Sequence, residues 1–417
     1  MKLTYFFFAV LLFSLFFNFS GYAGTKDNEG AVIDVNVFVD ASGIVDLVHL
    51  KQEIKHVNYV LTADAANVHL LGTQQRTGGG GREIKFYFIG QKEFEGLNDT
   101  LFYFSTPDKS GSEIRDAYTN LIKMGLTRYL AYGSHIVDIE FNGEYKTSQI
   151  EAEDKWNNWV FGIHMNTAVD GEEAERDFDF NVALDAERTT SEWRFEFDVD
   201  NNYDEDWYDT GEEEIVATRT SRSFENLIVK SIGDHMAVGM RSGLSSSTYA
   251  NIKLNYYAFP AVEYNLFPYE LSSRKQLRVS YFLGFNGRQY IDTTIFNKIN
   301  EDLFRQTFAI AYRIQEKWGS AYTSLSAQNY FHDFSKNSFS IYSGLYLRVW
   351  KGLSFNVSGN YSIINDRLSI LKGDATLEEI LLKQKQQATA YRYQLHLGLS
   401  FTFGSLYNNV VNPRLKG

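Results

Sequence analysis

The sequence predicts a mainly β protein: an antiparallel transmembrane β-barrel of about 12 strands, preceded by a small α/β domain and a signal peptide. Three observations lead there. From about residue 155 onward, apolar and polar residues alternate with a period of two in one segment after another. Those segments run to ten or more residues, whereas strands of globular sheets average about 5–6. Aromatic residues make up 16% of the 417 residues, yet the mean hydropathy is only −0.30, too low for a bundle of membrane helices.

The first element is an address. Lys2 is the only charge before Lys26, Phe6 to Phe17 is apolar apart from Ser14, and small residues follow at Gly21 and Ala23. A positive start, a short apolar stretch and a small-residue cleavage site make a secretory signal peptide over 1–23. The stretch is shorter than the ~20 residues that span a bilayer. No later segment is long and apolar enough for a transmembrane helix, so any membrane insertion is by strands.

Residues 24–134 read as a small α/β domain. Val32 to Asp40 alternates as a strand, and Leu47, Leu50, Ile54 and Val57 form a helix face. Asn67 to Gln74, Glu83 to Gly90 and Leu101 to Phe104 are three further strands. Ser110 and Glu113 form a capping box that opens a helix carried on by Ile114, Ala117, Leu121 and Met124. The order β-α-β-β-β-α gives a sheet with helices on one face. The Gly78–Gly81 run lies between two strands, whereas a phosphate-cradling loop needs a strand before it and a helix after it. It therefore reads as a flexible hairpin, and Asp40 as a turn or cap residue. His49 and His56 have no third ligand type beside them and read as surface histidines.

Residues 135–154 form a linker, 155–404 the barrel and 405–417 a carboxy-terminal tail. In the last barrel segment Tyr391, Tyr393, Leu395, Leu397, Leu399 and Phe401 point one way, and Arg392, Gln394, His396, Gly398 and Ser400 the other. The same alternation marks segments near 156–167, 176–187, 191–201, 214–230, 234–245, 249–266, 274–287, 302–315, 319–332, 336–350, 352–364 and 389–404. A soluble sandwich also alternates. The strand length and the aromatic ends (Trp156, Trp193, Tyr264, Trp350 and Phe403 among them) favour the membrane barrel, whose apolar band is flanked by aromatic girdles. The connections 168–175, 202–213, 246–248, 288–301, 333–335 and 365–388 are mostly long, and those at 188–190, 231–233, 267–273, 316–318 and Lys351 mostly short. That is the pattern of outer loops and inner turns.

With these features the chain resembles the outer-membrane β-barrel proteins of Gram-negative bacteria, in particular members of no assigned function that carry a small periplasmic α/β domain. The strand YRYQLHLGLSFTFG at 391–404 is similar to the signal such proteins present to the barrel assembly machinery, although thirteen residues follow it. The amino-terminal segment loosely resembles secreted α/β domains of the TolB amino-terminal or curli-secretion type. The resemblance implies an outer-membrane location with the α/β domain periplasmic. Its implied partners are outer-membrane lipids, the assembly machinery and a periplasmic protein.

Candidate chemistry is sparse. Zero cysteine excludes disulfide scaffolds, thiolate metal sites and a Cys nucleophile, and a net charge of −12 argues against nucleic acid. Asp198, Asp200, Asn202, Asp204, Asp206 and Asp209 have calcium-loop spacing, but Tyr203 stands where glycine is required, so the segment reads as a solvated acidic outer loop. The polar face of the barrel carries both signs. Arg278, Arg305, Arg313, Arg348 and Arg392 have no acid on their own strand faces, and with Glu196 and Glu263 they are the expected lumen-lining residues. They would form either a salt-bridged plug or a narrow pore favouring anions. An outer-membrane lipase would need a Ser–His pair facing lipid, whereas alternation turns His164 and His396 inward. The expectation is therefore a protein without catalytic, cofactor or metal sites, acting as a narrow polar pore or as an envelope scaffold or docking protein.

Overall fold

The computed structural model describes residues 33–77, 81–133, 156–209, 211, 214–373, 389–405 and 409. The expected signal peptide, the 135–154 linker and the tail beyond Ser405, Asn409 excepted, lie outside the described residues. Two β-sheets account for the fold.

The first is a five-stranded sheet built from β1 (Asn36–Asp40), β2 (Asn58–Tyr59), β3 (Val68–Arg76), β4 (Arg82–Gly90) and β5 (Asn98–Ser105) in the order β2-β1-β3-β4-β5. β1 runs parallel to β2 and β3, and the rest is antiparallel. The two-residue β2 is too short to leave an alternation signal. Helix α1 (Leu47–Glu53) is capped by Asp46, whose carboxylate accepts the Val48 and His49 amides. Helix α2 (Gly111–Tyr132) opens with the expected capping box at Ser110 and Glu113. Both helices cover one sheet face. Leu50 and Ile54 from α1 and Ile122, Leu126 and Tyr129 from α2 close over Val37, Leu70, Ile84, Phe86 and Phe88 in a single core. Each such side chain, fully buried, contributes about 1.5–3 kcal/mol. Gly125 marks the closest approach: a Cβ there would lie 2.1 Å from the Phe88 ring. Burial pushes the Tyr129 hydroxyl up to about 12 while it donates to the Phe88 and Leu97 carbonyls.

The second sheet is a twelve-stranded antiparallel meander in chain order: β6 (Trp159–Gly171), β7 (Glu175–Thr189), β8 (Trp193–Asp209), β9 (Glu214–Ile232), β10 (Met236–Ser247), β11 (Ile252–Asn265), β12 (Lys275–Tyr290), β13 (Asn300–Glu316), β14 (Gly319–Tyr330), β15 (Asp333–Trp350), β16 (Leu353–Ile364) and β17 (Tyr391–Phe401). Each overlaps one of the expected segments. Among the described residues β6 and β17 pair only with β7 and β16, so each leaves one edge free. Pro260 sits inside β11 beside a break in the β11–β12 pairing, where a missing amide is tolerated.

Several expected loops are strand. β6 continues to Gly171 and β8 to Asp209, so the connections shrink to 172–174 and 210–213, and most of the supposed acidic loop is paired on both sides. Charge at every second position mimicked a loop because the partner strands' charges are invisible in one segment. The 365–390 connection remains long. Its first part folds back over the sheet: Ile370 accepts the Ile295 amide, Ser369 accepts from Asn251, and Leu368 packs on Leu303 and Tyr330.

Candidate functional site: the charged face and the sheet that covers its end

Alternation gives every strand of the second sheet two chemically opposed faces. On the apolar face Phe161, Ile163, Met165, Val238, Tyr281, Phe308, Leu397 and Leu399 are exposed, Leu399 to 72%. On the other face Asp206, Ser280 and Asn286 are buried, Asn286 to 2% exposure. This inverts the distribution of a water-soluble sheet, where large apolar side chains are sheltered and polar ones are wet.

The polar face is electrically divided. Across β6–β8 acids stand directly opposite acids: Asp170 faces Asp177, Asp177 faces Asp206, Asp179 faces Asp204, Asp185 faces Asp198 and Glu187 faces Glu196. Like charges in register destabilise a sheet, and a few cations relieve them. Arg219 makes a bidentate pair with Asp206 at 2.6 and 3.2 Å, Arg194 pairs with Glu196, and His164 lies 3.0 Å from Asp185. Among the described residues no group of His, Cys, Asp and Glu forms a metal-binding cluster.

Arginines dominate from β10 onward, and the sheet brings most of them to partners that single strands conceal. Arg278 lies 3.5 Å from Glu263 on the neighbouring β11, and Glu263 also accepts from the Tyr269 and Ser280 hydroxyls. Arg305 stacks over Phe259, 4.3 Å from the ring centroid. Arg348 pairs with Asp40 of the first sheet at 2.5 Å. Arg313 and Arg392 have no ion-pair partner among the described residues. Arg288, which the sequence reading passed over, donates to the Tyr330 hydroxyl at 3.0 Å, in the region that Leu303 and Leu368 fill. The half of the face from β10 onward is thus partly paired and filled, with Arg278, Arg305 and Arg348 meeting protein groups. Its signal in the sequence was the large apolar residues at polar-face positions, Phe259, Leu303 and Tyr330.

The five-stranded sheet covers one end of this structure. Its helix-free face, with Phe38, Asp40, His69, Thr73, Lys85 and Tyr87, meets the end that carries the 266–274 and 317–318 connections. Thr73 contacts Ser273, Lys85 donates to the Glu270 carbonyl, Gln315 donates to the Gly72 carbonyl and Arg274 lies 4.9 Å from the Tyr87 ring. Asp40 is therefore no turn residue. It joins Arg348 and His69, whose Nε2 is 3.1 Å away, in a nearly dry cluster. Burial pushes its carboxyl up, but the His69 hydrogen bond and the Arg348 charge outweigh that and hold it below the usual carboxylate range. Asn409, past the last strand, reaches the same sheet, accepting the Tyr59 amide at 2.7 Å.

His164 and His396 stand on the polar face, as alternation required; Ser358 lies opposite His396 across the β16–β17 pair. No family model matches this chain, and a search of curated proteins finds no match either.

Proposed function

We propose that this chain is an outer-membrane β-barrel that serves as an envelope scaffold or docking protein, with the five-stranded α/β unit held in the periplasm beneath it. The observation that carries the reading is the inverted sheet, twelve strands with apolar side chains exposed on one face and polar ones sheltered on the other. Every strand has at least the eleven residues of β17, and a tilted strand crosses a bilayer in about 9–11. In this reading β6 and β17, antiparallel by their places in an even-numbered meander, pair with each other. Closure removes two exposed edges that would otherwise invite aggregation. Long loops face outward in such barrels, and the α/β unit lies at the end opposite the long 365–390 connection.

The docking role is supported by the plugging. The α/β sheet lies across one end, Leu368 packs against Tyr330 towards the other, and Arg305 and Arg348 are occupied by protein groups. An open channel needs none of these. A second reading, a narrow polar path, is favoured by the exposed acids Asp179 and Asp198 on β7 and β8. Such a path would select cations rather than the anions suggested by the arginines alone. Lipase chemistry is not proposed, because His164 and His396 share the polar face rather than the apolar one.

Outer-membrane fractionation with heat-modifiable gel mobility tests the barrel, and recovery of the mature chain as a detergent-free monomer in buffer would refute it. Planar-bilayer recording separates the two roles: no current at any voltage supports the scaffold, and a cation-selective current supports the path.

A further inference from the structure

The α/β unit contains a cavity of about 580 Å³ that neither the barrel nor the joint uses. It is formed by the loop after β1, the end of the β3–β4 hairpin, the β5–α2 connection and the first turns of α2. It therefore lies outside the carboxyl end of the parallel strand β1. That strand is the topological switch point of the sheet, because its neighbours β2 and β3 lie on opposite sides. Crevices in this position are where α/β sheets bind ligands, and the volume falls in the range of small-molecule sites, about 300–1,000 Å³.

The lining has two chemistries. Arg82 from the hairpin, Lys109 from the connection and Arg115 from α2 bring three cations from three separate elements. Ile44, Pro107 and Ile114 supply an apolar wall. The acids nearby do not cancel the cations. Asp46, which also lines the cavity, gives its Oδ1 to the α1 amides and holds its Oδ2 3.8 Å from Arg115, beyond hydrogen-bond range, so one carboxylate stands against three cations. Asp116 is 4.0 Å from Arg115 Nε, also too far. Glu113 holds Lys109 at 2.7 Å, but both side chains are largely exposed and such pairs exchange readily. Arg82 forms no ion pair among the described residues. The Arg115 Nε–H is buried and has no hydrogen-bond acceptor, a condition that proteins seldom leave uncorrected. Gly81 keeps the hairpin close: a Cβ there would lie 1.8 Å from the Ser105 carbonyl oxygen.

We propose that this cavity binds a small phosphorylated molecule. Its phosphate would be held by Arg82, Lys109 and Arg115, and the body of the ligand would rest on the Ile44–Pro107–Ile114 wall. The planar, multiply donating guanidinium groups suit a phosphate dianion. The site is independent of membrane insertion, so its test is separate from that of the barrel.

The test is isothermal titration of the full-length protein in detergent with inorganic phosphate, glucose 6-phosphate and acetate. Glucose 6-phosphate should bind most tightly, inorganic phosphate more weakly and acetate not at all. Arg82→Gln, at an exposed position that does not threaten folding, should weaken glucose 6-phosphate binding about tenfold, the loss of one charge-assisted contact of about 1.4 kcal/mol. Arg128→Gln, which removes the same charge from the far end of α2, should leave it unchanged. Binding of inorganic phosphate as tight as that of the ester would remove the apolar wall from the proposal. No heat with either phosphate at about 10 mM, ten times a millimolar Kd, or equal losses in the two variants, would overturn it.

Discussion

Replacing Arg348 with Met should loosen the α/β unit from the strand sheet. The guanidinium is 2.5 Å from the Asp40 carboxylate, and the two side chains are only 18% and 17% exposed. Deleting one partner of a buried pair costs about 3–5 kcal/mol, because the other charge is left dry and uncompensated. Asp40 keeps its 3.1 Å contact with His69, which lowers the expected loss to about 2–3 kcal/mol. Arg348 also donates to the Lys317 carbonyl and lies over the Phe38 ring, so the single variant overstates the pair. A double-mutant cycle with Asp40→Asn isolates it, with an expected coupling of about 1.5–2.5 kcal/mol. All the described α-helix lies in α1 and α2, so ellipticity at the helical band follows the α/β unit in the presence of the strands. For a unit of roughly 100 residues each kcal/mol moves the midpoint by about 4–8 °C. Arg348→Met should therefore lower it by roughly 8–24 °C. The sign with pH follows from the depressed Asp40 carboxyl. Its contribution is present above the unfolded value of 3.8 and is lost as the pH falls through the lower folded value. Coupling at neutral pH should thus shrink under strong acid. A cycle that is additive within about 0.5 kcal/mol at neutral pH would refute the buried-pair argument.

The remaining expectations concern single elements. Gly125→Ala should destabilise the α/β unit by about 1–3 kcal/mol, despite the better helix former, because the new methyl group meets the buried Phe88 ring; an unchanged or raised midpoint would contradict the packing. Ser110→Ala should cost about 1 kcal/mol by removing the side-chain acceptor of the Glu113 amide, as read by helical ellipticity in denaturant. The Glu113 carboxyl is held down to about 2, first by Lys109 and then by the Ser110 amide and hydroxyl, so its support of the α2 start is present above pH 4.5 and fades as the pH falls towards 2; a carboxyl titrating near 4.5 by NMR would dispose of it. Leu397→Asp places a charge on the apolar face and should abolish outer-membrane assembly, whereas Ser400→Asp on the polar face should not; equal assembly of both variants would sink the membrane reading.

Much of this molecule was legible one segment at a time. Period-two alternation located all twelve strands of the larger sheet and separated the apolar from the polar face. Ser110 and Glu113 marked the start of α2, because capping and periodicity are local properties carried by residues a few positions apart. What the alternation could not supply was partnership. Asp40 and Arg348 are 308 positions apart in sequence, Arg278 finds Glu263 on another strand, and the 202–209 end of β8 looked like a loop until β7 and β9 flanked it. Two-residue β2 and the cavity beside Arg115 exist only when distant segments assemble. Periodicity is imposed by the backbone of one strand or helix, so the sequence decided the elements and their faces. Charge pairing, filling of the polar face and the capping of its end depend on register and packing between elements, and only the tertiary structure decided those.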